Sequence, residues 1–264
     1  MDQELHRRRE LEAELRGAIR GGQLALHYQP IINLKSGRIE AFEALVRWQH
    51  PERGMLSPDE FIAIAEATGL IITMGNWIVL EACRTAMQWP DDIKVAVNVS
   101  PVQMQAPGAA LGFLNALKVS GLAADRLDLE ITENVFAGKT EHVVEFVRLI
   151  RNAGIGLTLD DFGTGYSSLS YIREFDFSKI KVDRSFVSGL EDGDRASAVV
   201  EAVAYLANRL GMPVVAEGIE TAADAARVRK LGCTHGQGYL FSRGVPARDL
   251  PALLDQPAAA RRVA

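Results

Sequence analysis

Two adjacent carboxylates, Asp160 and Asp161, follow an apolar run at residues 155–159, and a glycine-rich turn at residues 163–165 comes directly after them. Like charges this close repel each other, and both ionise favourably when divalent cations lie between them. A second interpretation stays open at this stage, in which one aspartate caps the next helix and the other faces water. The rest of the sequence must distinguish a metal site from a helix cap.

Further polar side chains stand in or just after other short apolar runs of the chain. They are Glu43, Asn98, Glu130, Glu133, Lys181, Asp183, Glu217, Glu220 and Gln237. Taken singly, each has an ordinary explanation as a paired, solvated or turn-forming residue. As a set, the clustered carboxylates require cations, and oxygen ligands without cysteine or clustered histidine suit Mg²⁺ or Mn²⁺. An aspartate pair that can bridge and ligate separately indicates two metals, which suit phosphoryl chemistry.

The histidines and the glycine-rich turn carry less information. No HxxxH or HExxH spacing links the histidines that we interpret as structural or surface groups, namely His27, His50, His142 and His235. The turn Gly163-Thr164-Gly165 is short for a phosphate-binding loop, and a lid over the metals explains it equally well.

Apolar strands and helices that could position these residues alternate along most of the chain. The predicted strands are residues 93–99, 127–131, 155–159, 180–182 and 213–216, and the predicted helices are 108–118, 141–152, 196–210 and 222–231. Such alternation indicates parallel βαβ units, and about eight units in about 250 residues predict a (β/α)8 barrel. The polar residues would then converge at the mouth formed by the C-terminal strand ends. An open doubly wound sheet is the alternative, although its GxGxxG turn is absent.

The first part of the chain departs from this parallel plan. Residues 24–32 and 38–48 are strand-like runs joined by a turn at residues 35–37, which predicts an antiparallel hairpin. We therefore expect a TIM-like barrel with an antiparallel first strand.

Two helices deserve separate predictions. Residues 1–20 form a charged amphipathic pattern, either a packed lead-in helix or the end of a linker from an upstream domain. The helix at 196–210 carries an apolar stripe of Val199, Val203, Leu206 and Leu210. We expect one catalytic domain at residues 21–254 and a disordered tail at residues 255–264.

Composition excludes several classes of protein. The chain has 264 residues, 48% hydrophobic and 24% charged, with a net charge of −5, which disfavours a general nucleic-acid surface. Cys83 and Cys233 form no CxxC pattern, which suits a reducing compartment. Polar residues interrupt the apolar region at 61–89, so we expect buried helices and no membrane segment. A cytoplasmic protein, or the cytosolic part of a larger one, is the resulting expectation.

A series of short motifs follows in order along residues 23–246. They are YQPI at 28–31, EALVRW at 43–48, NVS at 98–100, LEITE at 129–133, DDFGTGYSSL at 160–169, KVD at 181–183, AEGIET at 216–221 and QGYLFSR at 237–243. This series resembles the EAL-domain cyclic-di-GMP phosphodiesterases. The resemblance implies a TIM-like barrel that hydrolyses cyclic di-GMP to linear 5'-pGpG with two Mg²⁺ or Mn²⁺ ions per active site.

The resemblance also implies a role for each matching residue. Glu43, Asn98, Glu130 and Asp160 would hold one metal, and Asp160, Asp161 and Glu217 the second. Lys181 would orient the attacking water and Glu217 would assist its deprotonation, so that Glu217, Lys181 and Asp160 are the catalytic residues. The substrate would meet Gln29, Val46, Arg47, Lys181, Glu220, Gln237 and Tyr239. Supporting roles around the loop would fall to Glu133, Asp183, Phe162, Gly163, Thr164 and Gly165.

Some expectations concern partners and departures from the family pattern. Family members often dimerise through the loop after Asp161 and are commonly fused to sensor or GGDEF domains, so a homodimer and an upstream domain are expected. Gly244 and Thr234 replace the usual Pro and Asp, at positions that do not ligate metal in the family. The alternative function is a receptor module that binds cyclic di-GMP without hydrolysis, and a barrel that acts on another phosphoester is a third.

Overall fold

The computed structural model describes residues 2–136, 140–163, 169–188 and 194–256. Its strands are β1 (Leu24–Asn33), β2 (Ile39–His50), β3 (Gly54–Leu56), β4 (Lys94–Asn98), β5 (Leu127–Thr132), β6 (Gly156–Phe162), β7 (Lys179–Val182), β8 (Val214–Ala216), β9 (His235–Gly236) and β10 (Val245–Pro246). Because β1 pairs with both β2 and β9, the sheet closes on itself. The closed barrel contains β1, β2 and β4 to β9, which excludes the open doubly wound sheet.

The direction of the strands confirms the predicted departure at the start of the chain. β1 runs antiparallel to β2 and to β9, whereas β2, β4, β5, β6, β7, β8 and β9 are parallel in that order. The two short strands β3 and β10 extend β2 and β1 outside the closed barrel. The fold is therefore a TIM-like barrel with an antiparallel first strand.

Helices surround this barrel. They are α1 (Asp2–Arg20), α2 (Pro58–Ala67), α3 (Leu70–Ala86), α4 (Pro101–Gln105), α5 (Ala109–Ser120), α6 (Glu141–Asn152), α7 (Leu169–Glu174), α8 (Arg184–Ser188), α9 (Asp194–Arg209), α10 (Ala222–Lys230) and α11 (Leu250–Leu254). Short 3-10 turns lie at residues 124–126, 133–136 and 247–249. No helix among the described residues combines the length and the apolar character that a membrane crossing requires.

Local sequence signals explain where the helices begin. The hydroxyl of Thr140 accepts a hydrogen bond from the backbone N–H of Val143 and so caps α6, which begins at the predicted residue, Glu141. Ser100 caps α4 in the same way, with a proline at the first helical position. Helix α1 buries Leu11, Leu15 and Ala18 and lies against α2 and α3.

The predicted stripe on α9 is partly wrong. Val203 is buried, but Val199 and Leu210 are exposed, and Val200, Ala204 and Ala207 occupy the inner face instead. The buried set has the same three- and four-residue spacing and differs only by using small alanines against the barrel. Two large apolar side chains of the predicted stripe therefore face outward.

A largely buried ion pair lies near the N-terminal end of the barrel. Lys179 Nζ lies 2.9 Å from Asp128 Oδ2, and both side chains point inward from β7 and β5, on either side of β6. The β6 residue between them is Gly156, where a Cβ would lie only 1.7 Å from Asp128 Oδ1. Because Gly156 has no Cβ, Asp128 and Lys179 can reach each other across β6. We call Asp128, Gly156 and Lys179 the barrel floor.

Candidate metal and catalytic site

One ammonium group stands among four carboxylates at the C-terminal end of the barrel. Lys181 Nζ lies 2.6 Å from Glu217, 2.8 Å from Glu130, 3.3 Å from Glu43 and 3.4 Å from Asp160. The lysine side chain is 1% exposed. With a single positive charge for four potential negative charges, the described cluster is strongly anionic.

Strand geometry explains why these residues meet. Side chains two residues apart on a strand point to the same face, so Glu130 stands above Asp128, and Lys181 above Lys179. Parallel pairing places Asn98 opposite Glu130. The motifs that are far apart in sequence are thus brought together by one closed sheet.

Amides complete the environment of Glu43. Asn98 Nδ2 donates to Glu43 Oε1 at 2.6 Å, and Gln237 Nε2 donates to Glu43 Oε2 at the same distance. Gln237 also donates to Gln29 Oε1 at 3.1 Å, and Gln29 donates to the backbone carbonyl of Ser242. This chain of hydrogen bonds links the metal-ligand candidates to the loop after β9.

The excess negative charge perturbs several pKa values. Burial raises the pKa of Glu217 to about 7, with Asp160 and Glu43 adding to the effect and Lys181 opposing it. Burial likewise raises the pKa of Glu130 well above its ordinary value, although Lys181 opposes it. For Glu43, burial is outweighed by Lys181 and by the amide hydrogen bonds, so its pKa is lowered.

The remaining shifts concern the lysine and the second aspartate. Burial disfavours the Lys181 ammonium, but the four surrounding carboxylates outweigh it and raise its pKa well above the ordinary value. The pKa of Asp161 is raised by burial and by the neighbouring charges of Asp160 and Asp183. The lysine is therefore positively charged, and the site favours additional positive charge.

The aspartate pair separates into two environments. Asp160 points into the barrel beside Lys181 and is buried, whereas Asp161 is half-buried. Asp161 has a φ of 53°, and its backbone N–H donates to Asp160 Oδ1 at 2.9 Å. This left-handed conformation is unusual for a residue other than glycine.

The residues present fit divalent cations. Single carboxylate oxygens of Asp160, Asp161 and Glu217 lie within 4.8 Å of one another. Glu130 Oε1 is buried, and no donor within the described residues reaches it. A buried carboxylate oxygen without a donor is costly unless a cation satisfies it. Oxygen ligands of this kind suit hard ions such as Mg²⁺ or Mn²⁺.

A cleft of about 260 Å³ adjoins this cluster. Its lining includes Gln29, Glu220, Gln237 and Tyr239, which the resemblance assigns to the substrate, together with Glu43 and Glu217. The Tyr239 ring is 55% exposed, and the Arg243 guanidinium stacks over it at 3.9 Å from the centroid.

Arg47 and Val46 lie outside the lining of that cleft. Arg47 Nη1 donates to the backbone carbonyl of Val46 at 2.8 Å. The Val46 side chain is buried and borders a separate, largely apolar cavity beside Leu45 and Ile62. A direct contact between the Val46 side chain and the substrate therefore stays a prediction, since this side chain does not line the cleft.

The predicted supporting residues occupy several environments. Glu133 is buried at the end of β5, and Phe162 is buried at the end of β6. Asp183 Oδ1 accepts a hydrogen bond from the backbone of Ser185 at the start of α8. Burial acts to raise the pKa of Asp183, but the hydrogen bonds from Ser185 oppose it, and the pKa is lowered. Gly163 has a φ of 98°, and Thr164 and Gly165 lie outside the described residues.

Sequence reasoning missed two features of the barrel interior and cleft. Arg184 lines the cleft directly after the KVD motif. Asp128 and Lys179 form the barrel floor, and their signal was present in the sequence: DLE and KIK place like charges two residues apart on a strand. Arg184 carried no comparable signal, since a charged residue at the start of a helix is ordinary.

Two of the histidines, His50 and His235, take part in local hydrogen bonds. His50 Nδ1 accepts from the backbone N–H groups of Glu52 and Arg53 in the turn after β2. His235 contacts Glu40 and Thr234 near the barrel floor, and burial lowers its pKa despite Glu40.

Comparison with known proteins places the chain in context. The family described as EAL domain matches residues 12–244. The uncharacterized protein y4lL of Sinorhizobium fredii is 46% identical over 254 residues, which cover 96% of this chain and 31% of that protein. Cyclic di-GMP phosphodiesterase NbdA of Pseudomonas aeruginosa is 40% identical over 249 residues, which cover 93% of this chain and 32% of that protein. The chain thus spans about a third of the length of these relatives.

A solved structure shares the barrel closely. It is the PaMucR phosphodiesterase in complex with c-di-GMP, which superposes with a TM-score of 0.87 at 38% identity and covers 91% of this chain and 99% of that one. Because the family match extends over most of the sequence and the fold agrees, this chain belongs to the EAL domain family.

Proposed function

We propose that this chain is a metal-dependent phosphodiesterase that hydrolyses cyclic di-GMP to linear 5'-pGpG. The observation that carries the proposal is the cluster of four carboxylates around Lys181 beside an open cleft. The names of its relatives give independent support, since NbdA is a cyclic di-GMP phosphodiesterase and the PaMucR structure holds c-di-GMP.

Two groups of residues would hold the cations. Glu43, Asn98, Glu130 and Asp160 form one group, and Asp160 joins Asp161 and Glu217 in the other. When bound, the two divalent cations neutralise charge on the scissile phosphate and lower the pKa of the attacking water. The orphaned Glu130 oxygen and the close oxygens of Asp160, Asp161 and Glu217 support this assignment.

Protein groups then handle the proton and the position of the attacking water. Lys181 is a buried donor held by the surrounding carboxylates, so its ammonium can orient the water without large side-chain motion. Glu217 can accept a proton, since its pKa near 7 in this environment matches neutral conditions. Gln237 fixes Glu43 by its short hydrogen bond.

The dinucleotide would occupy the cleft and its rim. Gln29, Glu220 and Tyr239 line the cleft and offer hydrogen bonds and an exposed aromatic face. Arg47, which is half-buried, supplies a positive charge for a phosphate. Val46 is assigned to this region by the family motif alone.

The decisive experiment is an analysis of nucleotide products by chromatography, with Mg²⁺, Mn²⁺, Ca²⁺ and chelator in parallel. We expect pGpG from the wild type, and a loss of roughly a thousandfold in rate for Asp160→Asn, because several kcal/mol of barrier depend on a metal ligand. Asp125→Asn, an exposed aspartate on a 3-10 turn, is the matched control. Equal rates for wild type and Asp160→Asn would refute the site, and tight binding without pGpG would favour the receptor alternative.

A homodimer is proposed as well. Val199, Tyr205 and Leu210 are large apolar side chains exposed on or just after α9, and a partner subunit would cover them. Light scattering should show a dimer for the wild type and a monomer for Tyr205→Glu, whereas a wild-type monomer at micromolar concentration would contradict the proposal.

The setting of the domain is the last part of the proposal. We place residues 21–254 as the catalytic unit and α1 as its lead-in helix, with a sensor or GGDEF domain upstream, because the matched relatives are about three times as long. A cytoplasmic location agrees with two buried cysteines that form no disulfide. Expression of residues 21–254, compared with residues 2–254, which include α1, tests whether the unit folds without this helix.

A further inference from the structure

Arg184 stands at the wall of the cleft and has no role in the mechanism above. It is the first residue of α8, directly after Asp183, and it lines the same cleft as Glu217, Glu220 and Tyr239. Glutamates otherwise supply the charged side chains of that lining. A cation that lines the same cleft as three glutamates is a candidate for a role in binding.

The backbone around Arg184 is held in place on both sides. A Cβ on Gly218, which has a φ of 70°, would lie 2.5 Å from Arg184 Cβ, so the loop after β8 packs directly against this residue. Asp183 Oδ1 accepts from the backbone of Ser185 at 3.0 Å and fixes the start of α8. The base of the arginine side chain is therefore rigidly located at the rim.

The guanidinium of Arg184 is available to a ligand. The residue is exposed, and it attracts the neighbouring Asp183 electrostatically, but no carboxylate of the described residues forms a close ion pair with it. The neighbouring Asp183 is engaged with Ser185. Its fork of N–H donors can consequently serve two acceptors of a bound molecule.

Three side chains of the cleft match three features of a guanine base. The exposed ring of Tyr239 offers a stacking surface. The carboxylate of Glu220 can accept from the donors at N1 and N2, and the Arg184 fork can donate to the acceptors O6 and N7. Adenine presents an amino group where guanine presents O6, so an arginine in this position would reject it.

We infer that Arg184 is a specificity-determining residue that reads the O6 and N7 edge of one guanine of the substrate. The inference rests on the proposed function for its substrate and adds a residue and a base edge to it. It differs from a phosphate contact, which would not distinguish one purine from another.

The experiment measures equilibrium binding, so that it does not depend on hydrolysis. Dissociation constants are measured by calorimetry for cyclic di-GMP and for its 7-deazaguanine analogue, which lacks the N7 acceptor, in chelator and in Ca²⁺. The proteins are wild type, Arg184→Met, Arg184→Lys and the control Arg148→Met, an exposed arginine on α6. Hydrolysis of cyclic di-GMP by the wild type with Mg²⁺ is followed in parallel.

We expect the wild type and Arg148→Met to bind the analogue about 10- to 150-fold more weakly than cyclic di-GMP, as for the loss of a hydrogen bond to a charged group. Arg184→Met should bind both ligands equally, and Arg184→Lys should retain only part of the preference. An unchanged preference in Arg184→Met, equal binding of both ligands by the wild type, or no binding in either condition overturns the inference. A missing pGpG product alone refutes the hydrolytic function and leaves the preference measurable.

Discussion

Replacement of Lys181 by methionine removes the ammonium that offsets part of the negative charge of the four carboxylates, while keeping a side chain of similar length. Glu43 and Glu130 are nearly inaccessible to water, so they lose their counter-charge inside the barrel. The variant should therefore be less stable in chelator than the wild type and should depend on metal for stability.

The size of the effect follows from the burial of the cluster. Removal of one partner from a buried ion pair costs about 3–5 kcal/mol of the free energy of unfolding. Protonation of one carboxylate absorbs part of this cost, so we expect a loss of about 3 kcal/mol. For a chain of 264 residues this corresponds to a melting temperature lower by about 6–12 °C.

Metal should reverse this loss more strongly than it stabilises the wild type. A ligand at about 100 times its dissociation constant adds about 2.7 kcal/mol to the free energy of unfolding. Lys181 repels incoming cations at close range, so the variant should bind Mg²⁺ about tenfold more tightly or better. Its catalytic rate should nevertheless fall, because the group that orients the water is gone.

The assay is thermal unfolding in chelator and across a Mg²⁺ titration, with Mg²⁺ affinity measured by calorimetry. Lys179→Met is the matched control: it also removes a nearly buried lysine from a carboxylate, Asp128, which is 1% exposed. That variant should lose stability without recovery in Mg²⁺. If Lys181→Met and the wild type have the same melting temperature in chelator, or if Mg²⁺ raises both melting temperatures equally, Lys181 is not the internal counter-ion of the site.

Two further predictions concern the barrel floor and the protonation of the site. Gly156→Ala places a Cβ against Asp128 and should lower the free energy of unfolding by about 2–4 kcal/mol in urea unfolding. Gly17→Ala, in the last turn of α1 where nothing lies within 4 Å of the added Cβ, should instead be neutral or stabilising, and equal effects would contradict the steric argument. The raised pKa of Glu217, about 7 against an ordinary 4.5, means that the folded metal-free protein binds more protons than the unfolded chain between these values. The contribution of this group to the free energy of unfolding should therefore fall by about 3 kcal/mol as pH rises through that window. Because the pKa of Glu130 is also raised and this group remains in both proteins, Glu217→Gln should show a shallower slope in urea unfolding followed from pH 4 to pH 8, and an identical slope would refute the assignment.

The sequence predicted those elements whose signals are local. Helix α6 has the predicted bounds because a threonine cap and a glycine with φ of 86°, Gly154, define its two ends. The barrel followed from the alternation of strands and helices, and its antiparallel start followed from the hairpin turn. The polar residues at strand ends were recognised as a set, since a closed parallel barrel leaves them one place to meet.

Features that depend on packing between distant elements could not be predicted in this way. On α9, Val199 and Val200 are equally apolar, and the packing of the helix against β7 and β8 decides which of them is buried. The Lys181 contacts with Glu43 depend on strands that are 138 residues apart. The position of Arg184 depends on its packing against Gly218 of another loop, and no local sequence pattern predicts this contact.

The barrel floor has a consequence for how sequences of this fold can diverge. A side chain at position 156 requires that Asp128 move or be replaced by a smaller residue. A smaller residue at position 128 would leave the ammonium of Lys179 without its partner in a largely buried place. Substitutions at these three positions are therefore unfavourable singly and tolerable only in combination. In related sequences, the residues at positions 128, 156 and 179 should therefore change together. A design that places a new active site at the C-terminal end of this barrel should keep all three residues.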